Sequence, residues 1–143
     1  MKKILLFDTS IGTDNLGDYL IMEAIKLELR NIFRTDFFIH IPTHDKVGEN
    51  SINKINISDF RFVCGTNLLS SNMNNYNQWK INIWDLRFIK NVILIGVGWW
   101  QYQKSPNSYT RVLLSRILHK KYLHSVRDNY TADKLKAIGF KNV

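Results

Sequence analysis

The chain is poor in cysteine and proline, with one Cys and two Pro among 143 residues. Cys64 alone cannot build a disulfide framework, and its solitude fits a reducing compartment better than a secretory one. It follows Phe62 and Val63 in an apolar run, which reads as a buried, inert thiol rather than a nucleophile. Long hydrophobic stretches are also missing. Met1-Lys2-Lys3-Ile4-Leu5-Leu6-Phe7 imitates a secretion signal, but the apolar run stops at Asp8 and no small-residue cleavage site follows. No stretch approaches the length of a membrane span, so a cytoplasmic location is expected. His40, His44, His119 and His124 lack ligand spacing with carboxylates or with Cys64, and no metal or cofactor is expected. His40 and His44 flank Pro42, where a role would be possible but has no further support. There is no Ser-His-Asp arrangement, Walker loop, internal repeat or low-complexity segment.

Acidic residues are scarce in one half only. Residues 1–71 hold eight Lys/Arg against nine Asp/Glu, whereas residues 72–143 hold twelve against three. The net charge of +8 therefore sits in the second half. Such asymmetry suits an anion, an acidic partner or a membrane surface, or is simply a set of solvated helix faces. No nucleic-acid motif accompanies it, so no nucleic-acid partner is expected. Hydrophobic content of 45% and aromatic content of 13% supply ample surface to bury.

The apolar pattern alternates between strand and helix. Lys3–Phe7, Phe37–Ile41, Phe60–Cys64, Val92–Ile95 and Tyr122–Val126 read as five strands. Asp18–Phe33 reads as a helix with Ile21, Ala24, Ile25, Leu29 and Ile32 inward. Trp84–Ile89 reads as helical with Trp84 and Phe88 on one face. Ser108 to about His119 reads as a helix with Tyr109, Val112, Leu113 and Ile117 inward. Asp128–Ile138 is the last helix, closed by Gly139. Residues 43–58 read as a polar excursion and 67–78 as an Asn-rich loop. This order predicts an α/β fold, a Rossmann-like parallel sheet with flanking helices in a single domain over 1–143. Phe140–Val143 falls where another strand would begin, which predicts a piece of a longer protein and an edge open to a complementing chain or a second copy.

In such sheets ligands bind beyond the carboxyl ends of the strands, which directs attention to four turns. In Gly12-Thr13-Asp14-Asn15-Leu16-Gly17-Asp18, glycine permits close backbone approach and a helix N-terminus follows, although Asn15 or Asp18 could simply cap that helix. Gly65-Thr66-Asn67 and Gly96-Val97-Gly98-Trp99-Trp100 suit a crevice or, equally, tight packing. Neighbouring side chains in an extended segment point opposite ways, so one of Trp99 and Trp100 could face a sugar ring while the other packs inward. Ser125-Val126-Arg127-Asp128 places an Arg beside a positive helix N-terminus, a combination suited to phosphate or carboxylate. The plainer alternative is a structural pair of Arg127 with Asp128 or Asp18.

Together these turns resemble the polysaccharide pyruvyl transferase family. The matching stretches are Asp14-Asn15-Leu16-Gly17-Asp18, Gly65-Thr66-Asn67-Leu68, Ile95-Gly96-Val97-Gly98-Trp99, and Ser125-Val126-Arg127-Asp128-Asn129-Tyr130-Thr131 with Leu135 and Ile138-Gly139. The sequence departs at Gly65-Thr66-Asn67, where the family commonly has a glycine run, and at Tyr19, where an acidic residue is frequent. The resemblance implies one half of a glycosyltransferase-B-like, two-domain arrangement. It implies transfer of pyruvate from phosphoenolpyruvate to two hydroxyls of a saccharide acceptor, forming a ketal in polysaccharide biosynthesis. It assigns Arg127 to the phosphoenolpyruvate anion and gives Asp18 the acceptor hydroxyl. Asn15, Gly17, Gly65, Thr66, Asn67, Gly96, Gly98, Trp99 and Asp128 would shape or line the cleft. Further donor-binding Arg and His residues would come from a second domain, without which activity is not expected. A sugar- or anion-binding protein without activity and half of a nucleotide-sugar glycosyltransferase share this architecture.

Overall fold

The computed structural model describes every residue from Met1 to Val143. Four strands, β1 (Lys3–Asp8), β2 (Phe37–Pro42), β3 (Phe60–Cys64) and β4 (Val92–Ile95), form one sheet in the order β2-β1-β3-β4. All three pairings are parallel. Four helices, α1 (Leu16–Ile32), α2 (Glu49–Asn56), α3 (Ser108–Ile117) and α4 (Asn129–Ile138), flank it, with a short 3-10 helix at Ile83–Arg87. The arrangement is α/β and Rossmann-like. No helix is long and apolar enough to cross a membrane.

The continuous apolar runs of β1 and β3 follow from a sheet buried on both faces. In β1, Ile4 and Leu6 meet Met22, Ile25 and Leu29 of α1, with Phe62, Cys64 and Ile93 beside them. Leu5 and Phe7 point the other way, into the larger core with Val63, Leu94, Leu113, Leu114 and Leu135. Cys64, on the α1 side, is fully buried as a free thiol. Burial pushes its pKa far up, so it is held as the inert thiol its neighbours suggest.

Several local expectations need correction. The α1 stripe that is buried is Asp18, Met22, Ile25 and Leu29, while Ala24 and Ile32 are exposed. In α3 the buried stripe is Thr110, Leu113, Leu114 and Ile117, a strict helical repeat that leaves Val112 outside. The expected helix at Trp84–Ile89 is a 3-10 turn, and Trp84 is 71% exposed rather than packed inward. Residues 43–58 contain α2, which their polar composition concealed because it buries only Ile55. The Asn-rich 67–78 stretch is irregular but partly internal, with Leu68, Leu69, Ser70, Ser71 and Met73 buried.

The fifth strand does not form. Single parallel bridges join Val92 to Leu118 and Val97 to Val126, so six residues on the β4 side, 92–97, face nine on the other, 118–126. The three surplus residues forbid a continuous ladder. The segment loops outward at Lys120, Lys121, Tyr122 and Leu123 and returns through His124. The ring of His124 then takes the place of a strand carbonyl. Leu94 N–H donates to its Nδ1 at 3.1 Å, and Nε2 lies 2.9 Å from His119 O. A backbone N–H only donates and a carbonyl only accepts, so the ring is neutral with its proton on Nε2.

Burial, together with nearby His119 and Lys120, lowers the His124 pKa, although the bond to His119 O opposes this. His119 shifts the same way through burial and Lys121. The unfolded chain therefore binds more protons below the ordinary value of 6.5. Stability is full above that pH and is lost as pH falls toward the lowered folded values. Urea unfolding should show a midpoint that drops between neutral pH and mild acid, and His124→Gln should flatten the drop.

Candidate functional site

Two cavities open beyond the carboxyl ends of the strands, and they meet at Asn67. The smaller, about 260 Å3, is lined by Asn67, Trp99, Gln101, Tyr102, Arg127, Asp128 and Tyr130. The larger, about 490 Å3, is lined by residues from five segments, including Thr13, Asp18, His44, Thr66, Gln78 and Trp100.

The first turn is held by β1. Asp8, at its end, is buried and accepts bonds from Ser10 N at 2.8 Å and Ser10 Oγ at 2.6 Å. His40 Nδ1 sits 2.7 Å from its other oxygen. Burial alone would raise the Asp8 pKa, but the bonds from His40 and Ser10 outweigh it and hold the carboxyl below its ordinary value. Beyond that anchor, Asn15 caps α1 by accepting Gly17 N–H at 3.0 Å. Asp18 is therefore not the cap. It is buried in the first turn, accepting from Thr13 Oγ1 at 2.9 Å and from Asn15 Nδ2 at 3.3 Å. His44 Nε2 lies 4.0 Å from its Oδ2. Tyr19 donates its hydroxyl to Thr13 O at 3.0 Å and ties the turn to the helix.

The second turn carries backbone strain. Gly65 has φ +63° and Thr66 φ +49°, two consecutive residues in the left-handed region. Gly65 is required twice over, because a Cβ there would stand 2.1 Å from Ile21 Cγ2. Its lack of a side chain serves the packing of α1, and it lines neither cavity. Thr66 does line the larger one, and a β-branched residue at that φ costs roughly 1–2 kcal/mol.

The third and fourth turns interlock. A Cβ on Gly98 would stand 2.1 Å from Asn67 Oδ1 and 3.2 Å from Arg127 Cδ. Gly98 is thus the floor on which Asn67 and Arg127 rest. Gly17 and Gly96 line neither cavity, and Gly96 serves the backbone with φ +63°. Trp99 is 3% exposed, donates its indole N–H to Ser71 Oγ at 3.1 Å and forms part of the smaller cavity's wall. Trp100 is the one that turns outward. It stacks on Tyr76 at 5.1 Å and faces the larger cavity.

Arg127 is exposed, and none of the four ion pairs includes it. The expected alternative, a structural pair with Asp128 or Asp18, is absent. Its nearest polar partner is Asn67 Oδ1, at 3.5 Å from Nη1. Asp128 instead caps α4, accepting from Thr131 N and Thr131 Oγ1 at 2.8 Å each. That carboxylate occupies the helix N-terminus, so an anion in the smaller cavity depends on the guanidinium rather than on the helix dipole.

The turns thus bring Asn15, Asp18, Thr66 and Asn67 to one cavity, and Asn67, Trp99, Arg127 and Asp128 to the other. Sequence reasoning quoted Thr13 and Tyr130 within the turns but gave them no role, left out Gln78, Gln101 and Tyr102, and assigned His44 no role. His44 had a usable signal, because it follows β2 just past Pro42, at the same end of the sheet as the other turns. Gln78 had none, since it arrives from an irregular stretch.

The fold and these cavities define a Rossmann-like domain with Arg127 in one cavity and Asp18, His44 and Trp100 in the other. The family model for polysaccharide pyruvyl transferase matches residues 15–143. The chain belongs to that family. No curated protein and no solved structure gives a significant match.

Two substitutions in this floor should act in opposite directions. Thr66→Gly relieves the left-handed strain and should stabilise the chain by about 1 kcal/mol, net of the added unfolded-state freedom. Gly98→Ala should destabilise it by roughly 1–3 kcal/mol, because Asn67 must move. Denaturant midpoints of both variants check the signs.

Proposed function

We propose that this domain binds phosphoenolpyruvate over Arg127 and serves as the N-terminal wall of a two-domain, glycosyltransferase-B-like pyruvyl transferase. Family membership implies a pyruvyl donor and a saccharide acceptor in general. The observation that carries the finer reading is Arg127, the one Lys or Arg lining either cavity and free of any carboxylate. A guanidinium presents paired N–H groups that match a phosphate or carboxylate, and phosphoenolpyruvate offers both. Asn67, Gln101 and Tyr102 add polar groups around it.

The chemistry has a defined demand on such a site. C3 of the enol must be protonated, positive charge develops at C2, a sugar hydroxyl adds there, and phosphate departs. A second hydroxyl then closes the ketal. Arg127 would neutralise the departing phosphate or hold the carboxylate in place. Further Arg and His groups from a second half would complete the donor site. A cytoplasmic setting, where phosphoenolpyruvate is made, accords with this reading.

Calorimetric titration at low salt tests it. Phosphoenolpyruvate should bind the parent chain, and Arg127→Ala should weaken binding roughly tenfold to a hundredfold. Arg127→Lys should recover only part of the loss, because a point charge lacks the paired N–H groups. Equal affinity of the parent and Arg127→Ala, or preferential binding of UDP-sugars, would remove this assignment.

A further inference from the structure

We propose that the Trp100 end of the groove is a subsite for a pyranoside diol, and that His44 takes the proton from its attacking hydroxyl. This rests on the pyruvyl-transfer reading and adds a location and a proton acceptor to it.

The two ends of the groove differ in charge. The larger cavity is lined by carboxylates, amides and hydroxyls, with no Lys or Arg. Such a lining repels a phosphate and suits a neutral polyhydroxyl ligand, whose O–H groups donate to Asp18, Asn67 and Gln78. Its one apolar side chain is Trp100, held by its stack on Tyr76 with the rings 30° from parallel. A fixed indole beside several polar groups is the combination that grips the C–H face of a sugar while its hydroxyls are read. The cavities share Asn67, so a sugar at the Trp100 end faces a donor held over Arg127.

His44 sits in the wall of this end. Its Nδ1 lies 3.4 Å from Gln78 O, a group that only accepts, so a proton on Nδ1 has its partner there. In the proposed step Nε2 is the base. Asp18 Oδ2 at 4.0 Å is too far to bond it but close enough to stabilise the imidazolium formed on proton uptake. Asp18 is held by Thr13 and Asn15 and acts here as a positioning residue.

The step balances as follows. The O–H bond of the sugar breaks, its proton goes to His44 Nε2, and the oxygen's electron pair forms the new bond to C2. Across the full reaction two hydroxyl protons are released. One ends on C3, making the methyl group, and the other leaves with phosphate.

The test is a titration of the 143-residue chain with methyl glycosides of glucose, galactose and mannose, followed by imidazole 15N NMR. At least one glycoside should bind, and saturation should shift the His44 Nε2 resonance from its unprotonated position as that nitrogen accepts a hydrogen bond. Trp100→Ala should weaken binding roughly tenfold and Trp100→Phe much less. No binding by any glycoside, an unmoved Nε2 resonance, or full affinity in Trp100→Ala would overturn the proposal. Phosphoenolpyruvate is titrated in parallel. Its binding without any glycoside binding overturns the subsite alone. Glycoside binding without phosphoenolpyruvate binding overturns pyruvyl transfer and the proton step, and supports the sugar subsite.

Discussion

The groove depends on a side chain that is not there. Gly98 lets Asn67 and Arg127 lie across the backbone after β4, where any Cβ would collide with the Asn67 amide. The backbone around it is cross-linked in both directions. Gly98 N–H donates to Thr66 O at 2.9 Å and Leu69 N–H donates to Gly98 O at 3.2 Å. On the other side Arg127 N–H donates to Val97 O at 3.0 Å, and Gly96 N–H donates to Ser125 O at 2.8 Å. The sheet thus continues beyond its regular strands as paired loops. Those loops, rather than the strands, carry Asn67, Trp100 and Arg127 to their places. The strain at Thr66 belongs to the same constraint, because the left-handed pair Gly65 and Thr66 bends the chain where Thr66 O accepts Gly98 N–H.

This geometry sorts the ligand chemistry. One end of the groove offers a guanidinium with no carboxylate attached, and the other offers Asp18, His44 and a stacked indole. The basic excess of the second half does not make the whole crevice positive, since Arg127 is its single lining cation. Most of the other Lys and Arg side chains lie on solvated helix faces and loops. The proposed joining of an anion to a neutral polyol rests on this contrast.

Much of this was legible in the sequence, and the parts that were not have physical reasons. The four strands of the sheet and α1, α3 and α4 follow from apolar periodicity and capping residues such as Asn15, Asp128 and Gly139. The four turns were found because parallel sheets place ligands beyond their carboxyl ends. The false fifth strand has strand-like composition, but register is a property of two segments, and three surplus residues cannot be seen in one of them. α2 buries one side chain, too little for a pattern. The separate tasks of Gly65 and Gly98 were likewise invisible, since both look like crevice glycines until Ile21 and Asn67 are placed against them. His44 and Gln78 come together from distant segments through an irregular stretch, a meeting that no local signal encodes.

The central claim is that the crevice binds the donor anion at the Gly98 floor, on the Arg127 side. Amide 15N NMR of the chain titrated with phosphoenolpyruvate tests this most directly. The account predicts that the largest shifts fall on Asn67, Gly98, Gln101 and Arg127, with Asp14 and His44 moving little. Largest shifts at the Asp14–Asp18 turn or on the exposed basic helix faces would contradict it.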